Sequence, residues 1–272
     1  MLPYRLKKLH DWEPQHICLY RGELAPDLAE AAPYLVRLER GTPLSRWILE
    51  QGWGQHWGIF ALVDEDVVLK DLRKHFRTFL MIENPDGKPL YFRYYDPRIL
   101  RAYLPTCNDN ELATVFGPVQ AYAMESVDGA AVEEFYSPRE PGVAQRHLRM
   151  RPEQMDALAL IPQQYYIQEM VAHALEFFPD ACKRIGGTKL EPFIRDGIAQ
   201  ASEYGIEGRV DVKRFLNLRF AFGPDFDRQC QWAREILDNA SITSPSTKSL
   251  LLHEAGLSQL EASEETQQQK VG

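Results

Sequence analysis

The chain has 272 residues, of which 44% are hydrophobic and 26% are charged, and its formal net charge is −8. This composition is ordinary for a globular protein, and the length allows one large core or two smaller ones. The negative charge argues against nucleic acid or anionic lipid as the main partner, because either would need a clustered basic face. The sequence contains neither a secretory signal nor an apolar run near the roughly 20 residues that span a bilayer, so we expect a cytoplasmic protein without membrane contact.

The sequence lacks the local signatures of metal and cofactor sites. Its four cysteines are scattered, so we interpret them as reduced thiols, and no Cys-x-x-Cys or His-Glu-x-x-His spacing occurs. Glycine-rich nucleotide-binding motifs and the Gly-x-Ser-x-Gly motif of hydrolases are also absent. The sequence therefore predicts no metal and no cofactor.

The first half of the chain reads as alternating strands and helices. Asn84-Pro85-Asp86-Gly87 is a turn signal between two apolar runs and predicts a hairpin. Apolar periodicity and capping signals predict two helices, at 42–50 and 66–78. Short apolar runs predict strands at 17–20, 34–38, 57–63, 79–82, 90–94, 119–124 and 132–136.

A strand-to-helix junction is predicted where Asp96-Pro97 follows the apolar run at 90–94. Asp96 can accept hydrogen bonds from the first free N–H groups of a helix, and Pro97 suits the first helical position because its missing N–H costs nothing there. We interpret Arg93, Asp96, Pro97 and Arg98 as a structural motif in which Asp96 caps a helix over 98–104 and the arginines pair with it or face solvent.

The second half of the chain is almost purely helical in pattern. Apolar residues recur at helical spacing, and capping signals predict helices at 167–178, 188–201, 212–222, 225–238 and 244–255. We therefore predict an α+β or α/β fold, in which an N-terminal mixed-sheet lobe with flanking helices precedes an all-helical lobe. The predicted boundaries are 1–137 for the α/β lobe, 138–151 for a linker, 152–256 for the helical lobe and 257–272 for a disordered tail.

Three tryptophans lie in the first predicted helix and in the glycine-rich stretch that follows it. Trp47, Trp53 and Trp57 alternate with Gly52, Gly54 and Gly58. Aromatic side chains in such a turn serve either as core residues or as interface anchors. For Trp47 and Trp57 the core interpretation is favoured, whereas for Trp53 both interpretations stay open.

An enzymatic site has little local support. Asp96, Arg98 and His56 are the residues from which a hydrolase or transferase site at the junction of the lobes would be built. No Ser, Cys or Asp partner stands near His56 in an arrangement that activates a nucleophile. We therefore favour the capping role for Asp96 and keep the enzyme as an alternative.

An ordered series of short segments runs through the chain. In the first half its members are Cys18-Leu19-Tyr20, Glu23-Leu24-Ala25, Ala32-Pro33-Tyr34-Leu35-Val36-Arg37-Leu38, Gly52-Trp53-Gly54, Trp57-Gly58-Ile59-Phe60, Phe92-Arg93-Tyr94-Tyr95-Asp96-Pro97-Arg98 and Leu104-Pro105-Thr106. This series resembles one bacterial family, the domain-of-unknown-function family 4123. The resemblance extends over about 16–240 and is looser in the second half. Family members begin with a further apolar strand, which the short start Met1-Leu2-Pro3-Tyr4 lacks.

The resemblance implies a non-enzymatic role. Members of the family are adaptors, or effector chaperones, of type VI secretion systems, so the chain is expected to bind the N-terminal region of an effector. It would aid the loading of that effector onto the VgrG or PAAR spike. A self-associating component of the secretion machine is a further alternative. The predicted partner-binding residues are Trp53, Tyr94, Tyr95, Tyr165 and Tyr166.

Overall fold

A computed structural model describes residues 11–140 and 142–271, with side chains up to residue 262. The chain divides into two compact units between Pro162 and Gln163. The start of the chain, where the sequence predicts that the first apolar strand of the family is missing, lies outside the described residues. No described helix has both the length and the apolar run that a membrane span requires.

The first unit mixes short strands with short helices. Its elements, in chain order, are β1 (His16–Cys18), α1 (Pro26–Ala31), β2 (Tyr34–Val36), α2 (Pro43–Gly52), β3 (Phe60–Val63), α3 (Leu69–Arg77), β4 (Met81–Glu83), β5 (Pro89–Tyr91), α4 (Pro97–Tyr103), a 3₁₀ turn (Leu104–Thr106), α5 (Asp109–Phe116), β6 (Val119–Glu125), β7 (Val132–Tyr136) and α6 (Pro152–Ala159).

The described strands form three small antiparallel sheets rather than one mixed sheet. β1 pairs with β2, β4 pairs with β5, and β6 lies between β3 and β7. The hairpin between β4 and β5 closes at the predicted turn, where Asn84 accepts from Lys88 and Gly87 has a φ of +77°. Helices and antiparallel sheets together make this an α+β fold, which confirms the predicted class.

The core of the first unit is built largely from aromatic rings. Phe76 stacks on Tyr94 with ring centroids 5.6 Å apart, and Phe79 meets Tyr94 edge-on at 4.5 Å. Tyr122, on β6, is fully buried in the same cluster. Aromatic pairs in these geometries add stability beyond the area that they bury.

The segment predicted as a linker, 138–151, packs on the first unit instead. Leu148 and Met150 are buried, and the backbone around them bonds to Glu83, the last residue of β4. α6, predicted to open the helical lobe, also belongs to the first unit, because Gln154 is fully buried and donates to Glu111 over 3.0 Å. Proline and glycine mark an irregular backbone here, but buried side chains attach it to the core.

The second unit is all-helical, as predicted. Gly197 lets two of its helices approach closely, since a Cβ there would lie 2.5 Å from Leu216. Its last helix continues through most of 257–272, where disorder was predicted, because the segment is rich in residues that favour helix. The helices are α7 (Ile161–Phe177), which begins just before the division, α8 (Pro179–Ile185), α9 (Gly187–Glu203), α10 (Arg209–Phe222), α11 (Phe226–Gln229), α12 (Gln231–Leu237) and α13 (Pro245–Val271).

Candidate partner-binding face

The sheet β3–β6–β7 has one buried face and one open face. Tyr122 and Met124 of the central strand are fully buried on the inner face. Ala121 and Ala123 alternate with them, so they point to the outer face. Residues directly opposite each other in antiparallel strands share a face, and therefore the register extends this outer face onto both neighbouring strands.

Large side chains flank the two alanines on the outer face. Ala121 lies between Leu62 and Tyr136, which are 59% and 66% exposed. Ala123 lies between Phe60 and Glu134 in the next row of the sheet. Small residues along the central strand with larger ones on each side make a shallow trough, whose floor at Ala121 is 6% exposed and whose flanking side chains Leu62 and Tyr136 face solvent.

A groove of about 560 Å³ adjoins this trough. It shares Phe60 and Val132 with the sheet and adds residues of α2 and of the segment before it. Its charged residues are Glu39, Arg40 and Arg46. Trough and groove are thus one surface, which we call the apolar face. Its large apolar members are Leu38, Leu49, Trp53, Phe60, Leu62, Val132 and Tyr136.

Local sequence signals position Trp53 on this face. Thr42 caps α2 by accepting from the N–H of Ser45, and the helix ends at Gly52. A Cβ at Gly52 would lie 2.8 Å from the ring of Trp57, so the chain turns here only with glycine. The indole Nε1–H of Trp53 donates to the carbonyl of Gly129 over 2.8 Å, which fixes the ring against the turn between β6 and β7.

Glu125, at the end of β6, holds the loop that follows Trp53. Its carboxylate is 4% exposed and accepts the backbone N–H groups of Gly54 and His56, and it also pairs with the imidazole of His56. His56 has a φ of +55°, which is uncommon for a residue other than glycine. Sequence reasoning missed Glu125, because its partners lie 69 and 71 residues away and no local motif marks it.

The predicted partner-binding residues fall into different environments. Trp53 and Tyr95 are half-buried at the surface of the first unit, and Tyr165 is half-buried in the second. Tyr94 and Tyr166 are 2% and 9% exposed and lie in the cores of their units, and a partner contact at either residue stays a prediction. Burial raises the pKa of Tyr94, and it raises that of Tyr166 to about 12.

The Asp96 motif has the geometry of a helix cap. Asp96 precedes α4 and accepts the backbone N–H of Arg98 at 3.1 Å, with Pro97 at the first helical position. The guanidinium of Arg98 also donates to both oxygens of the Asp96 carboxylate, over 2.8 and 2.6 Å, whereas Arg93 stays 3.9 Å away. Asp96 is 6% exposed, so these bonds offset the cost of burying its charge.

The residues of the alternative enzymatic site have separate partners. His56 pairs with Glu125, while Asp96 pairs with Arg98. Among the described residues, no three His, Cys, Asp or Glu side chains are placed to hold a metal ion together.

Comparison with known proteins gives one match. Residues 1–114 match the model of the family described as "Domain of unknown function (DUF4123)". No curated protein and no solved structure matches the chain. The match does not extend into the second unit, whose likeness to the family stays a prediction. Over residues 1–114, the chain is therefore similar to the DUF4123 family.

Proposed function

We propose that this chain is a non-enzymatic adaptor of a type VI secretion system. It binds the N-terminal region of an effector in the cytoplasm and aids the loading of that effector onto the VgrG or PAAR spike. The apolar face is the surface that grips the effector. The DUF4123 match supports the assignment to the type VI secretion adaptors, and the apolar face supports a role in binding another protein.

The exposed apolar surface is the observation that carries this proposal. Leu49, Leu62, Val132 and Tyr136 are each at least 50% exposed and belong to one continuous surface. Contiguous apolar surface on a folded protein marks a site of interaction, because leaving it in water is unfavourable. Five of its seven large members lie within the matched residues 1–114.

The shape of the face suits a segment rather than a small molecule. The trough over Ala121 and Ala123 is shallow and flanked by exposed apolar side chains, so an apolar helix or extended segment fits it better than a compact ligand does. Masking such a segment keeps an unassembled effector from aggregating. Release at the spike requires moderate affinity, which an open face with few polar contacts provides.

Co-expression with the effector encoded beside the chain tests the proposal. We expect the effector to be soluble and to co-purify with the chain, and to lose solubility when the chain is omitted. Unchanged solubility without the chain, together with no co-purification, would overturn the adaptor role.

Matched variants test whether the apolar face is the surface involved. Leu62→Asp and Val132→Asp place a carboxylate on the face, and Leu175→Asp places one at a similarly exposed leucine of the second unit. We expect the first two to weaken effector binding by about tenfold or more, since each buries an unpaired charge in the complex. The Leu175 variant should bind like the wild type. Equal binding by all three variants would exclude the apolar face.

A further inference from the structure

Three tyrosine hydroxyls form a chain of hydrogen bonds elsewhere on the first unit. The hydroxyl of Tyr91 lies 2.6 Å from that of Tyr20 and 3.2 Å from that of Tyr95. Met81 is opposite Tyr91 in the β4–β5 ladder, and these two side chains are 55% and 37% exposed. None of these residues belongs to the apolar face, so this is a second surface.

Arginines border the tyrosines. Arg73, on α3, donates to the carbonyls of Cys18 and Tyr20 over 2.7 and 2.6 Å, and Arg77 donates to that of Leu19 over 2.6 Å. Two guanidinium groups are thus held against three successive carbonyls that lead to Tyr20.

Two further arginines extend the positive charge to both ends of the tyrosine chain. Arg21 follows Tyr20 and is exposed. Arg93, with a side chain that is 59% exposed, lies 6.0 Å from the ring of Tyr95.

Positive charge on this surface has few local partners. In the described part of the chain, no ion pair involves Arg21, Arg73 or Arg77, and Asp71 on the same helix pairs with Lys74. Burial, and then the nearby charges of Arg21 and Arg73, lower the pKa of Arg77. A concentration of cations is unusual in a chain with a net charge of −8.

We propose that this tyrosine–arginine surface, defined by Tyr20, Arg21, Arg73, Arg77, Tyr91, Arg93 and Tyr95, binds an acidic segment of a partner protein. Tyrosine, methionine and arginine are enriched where proteins meet proteins. Exposed guanidinium groups bind carboxylates through paired N–H donors.

A protein segment fits this surface better than a nucleic acid does. The net charge of −8 repels an extended polyanion, whereas a short acidic segment experiences mainly the local arginines. Three tyrosine hydroxyls share two hydrogen bonds, so one O–H donor remains that can bind a carboxylate.

Binding of short labelled probes to the full chain tests the inference without the effector. The probes are a fluorescein-labelled dodecamer of glutamate, the corresponding dodecamer of lysine and a DNA duplex of the same length, each followed by fluorescence anisotropy. We expect the glutamate peptide to bind in a salt-sensitive manner and the lysine peptide not to bind. The double variant Arg21→Glu/Arg93→Glu should bind the glutamate peptide about tenfold more weakly.

Arg184→Glu is the control. Arg184 is an exposed arginine of the second unit, and its reversal changes the net charge by −2, whereas the double variant changes it by −4. The control should leave the affinity for the glutamate peptide within about twofold of the wild type. Equal weakening by Arg184→Glu would show a general charge effect and overturn the assignment. No binding of the glutamate peptide, or tighter binding of the DNA, would overturn it as well.

Discussion

Glu125 accepts the backbone N–H of His56 over 2.9 Å and pairs with the imidazole of the same residue. One buried carboxylate thereby fixes both the main chain and the side chain of the loop after α2. Trp53 begins that loop and lies on the apolar face. The conformation of Trp53, a proposed binding residue, thus depends on the buried carboxylate of Glu125.

Replacing Glu125 by glutamine tests this dependence. We expect Glu125→Gln to lower the free energy of unfolding by about 1–3 kcal/mol, because an amide cannot accept all the bonds that the buried carboxylate accepts. Urea unfolding followed by circular dichroism measures the change. The control Glu134→Gln alters an exposed carboxylate of β7 and should stay within about 0.5 kcal/mol of the wild type. A Glu125 variant as stable as the Glu134 variant would contradict the structural role.

Two glycines of α9 provide a test of packing in the second unit. A Cβ at Gly197 would lie 2.5 Å from Leu216 and 2.9 Å from Arg219, both of which are buried, whereas a Cβ at Gly187 would lie in open space. We expect Gly197→Ala to destabilise by about 1–3 kcal/mol through overpacking. Gly187→Ala should be neutral or stabilising by up to about 1 kcal/mol, because alanine favours helix. Thermal unfolding that ranks the two variants in the opposite order would refute the close approach of the helices.

Substitutions at Asp96 separate its cap from its ion pair. Asp96→Ala should destabilise by about 0.5–2 kcal/mol through the lost cap, and Asp96→Ser, which can still accept the N–H of Arg98, should lose less. Pro97→Ala should cost little. Chemical unfolding measures all three. If Asp96→Ala kept full stability yet abolished effector binding, a direct contact role would replace the capping account.

His75 predicts how stability depends on pH. Burial lowers the pKa of His75 below its ordinary value of 6.5, while a hydrogen bond to the carbonyl of Val115 opposes that shift. Between the two pKa values the unfolded chain binds the proton more readily than the folded chain does. Stability is therefore lost as the pH falls below about 6.5, at up to about 1.4 kcal/mol per pH unit, until the lower folded pKa is reached.

The variant His75→Leu isolates this contribution. Leucine keeps an apolar side chain in the site, and the carbonyl of Val115 still accepts the hydroxyl of Tyr122 over 2.7 Å. Unfolding free energies measured at several pH values should fall less steeply below about pH 6.5 in the variant than in the wild type. Parallel curves would show that His75 does not titrate differently on folding.

Local signals in the sequence were sufficient for many of the elements. Thr42-Pro43 and Asp96-Pro97 open helices, and Asn84 to Gly87 closes a hairpin, as the residues predict. Each signal depends on bonds between residues only a few positions apart. Such interactions are the same in any fold that contains the segment.

Alternation in the sequence did not decide which side of a segment is buried. From 91 to 95, Phe92 and Tyr94 point into the core, while Tyr91, Arg93 and Tyr95 remain at least partly exposed. An aromatic side chain can lie in a core or at the surface, so residue type alone does not decide which of these aromatic residues are buried. The ring contacts of Tyr94 with Phe76 and Phe79, on another element, determined the outcome.

The sequence by itself determined that helices and strands are mixed in the first half, several of the helix starts and the likeness to the DUF4123 family. The tertiary structure decided that 138–151 packs on the first unit, that Glu125 holds the Trp53 loop, and that seven dispersed apolar side chains share one open face. The physical reason is the range of the interactions involved. Capping and turn formation act within a few residues, whereas the β3–β6 register and the bonds of Glu125 depend on residues about sixty to seventy positions apart.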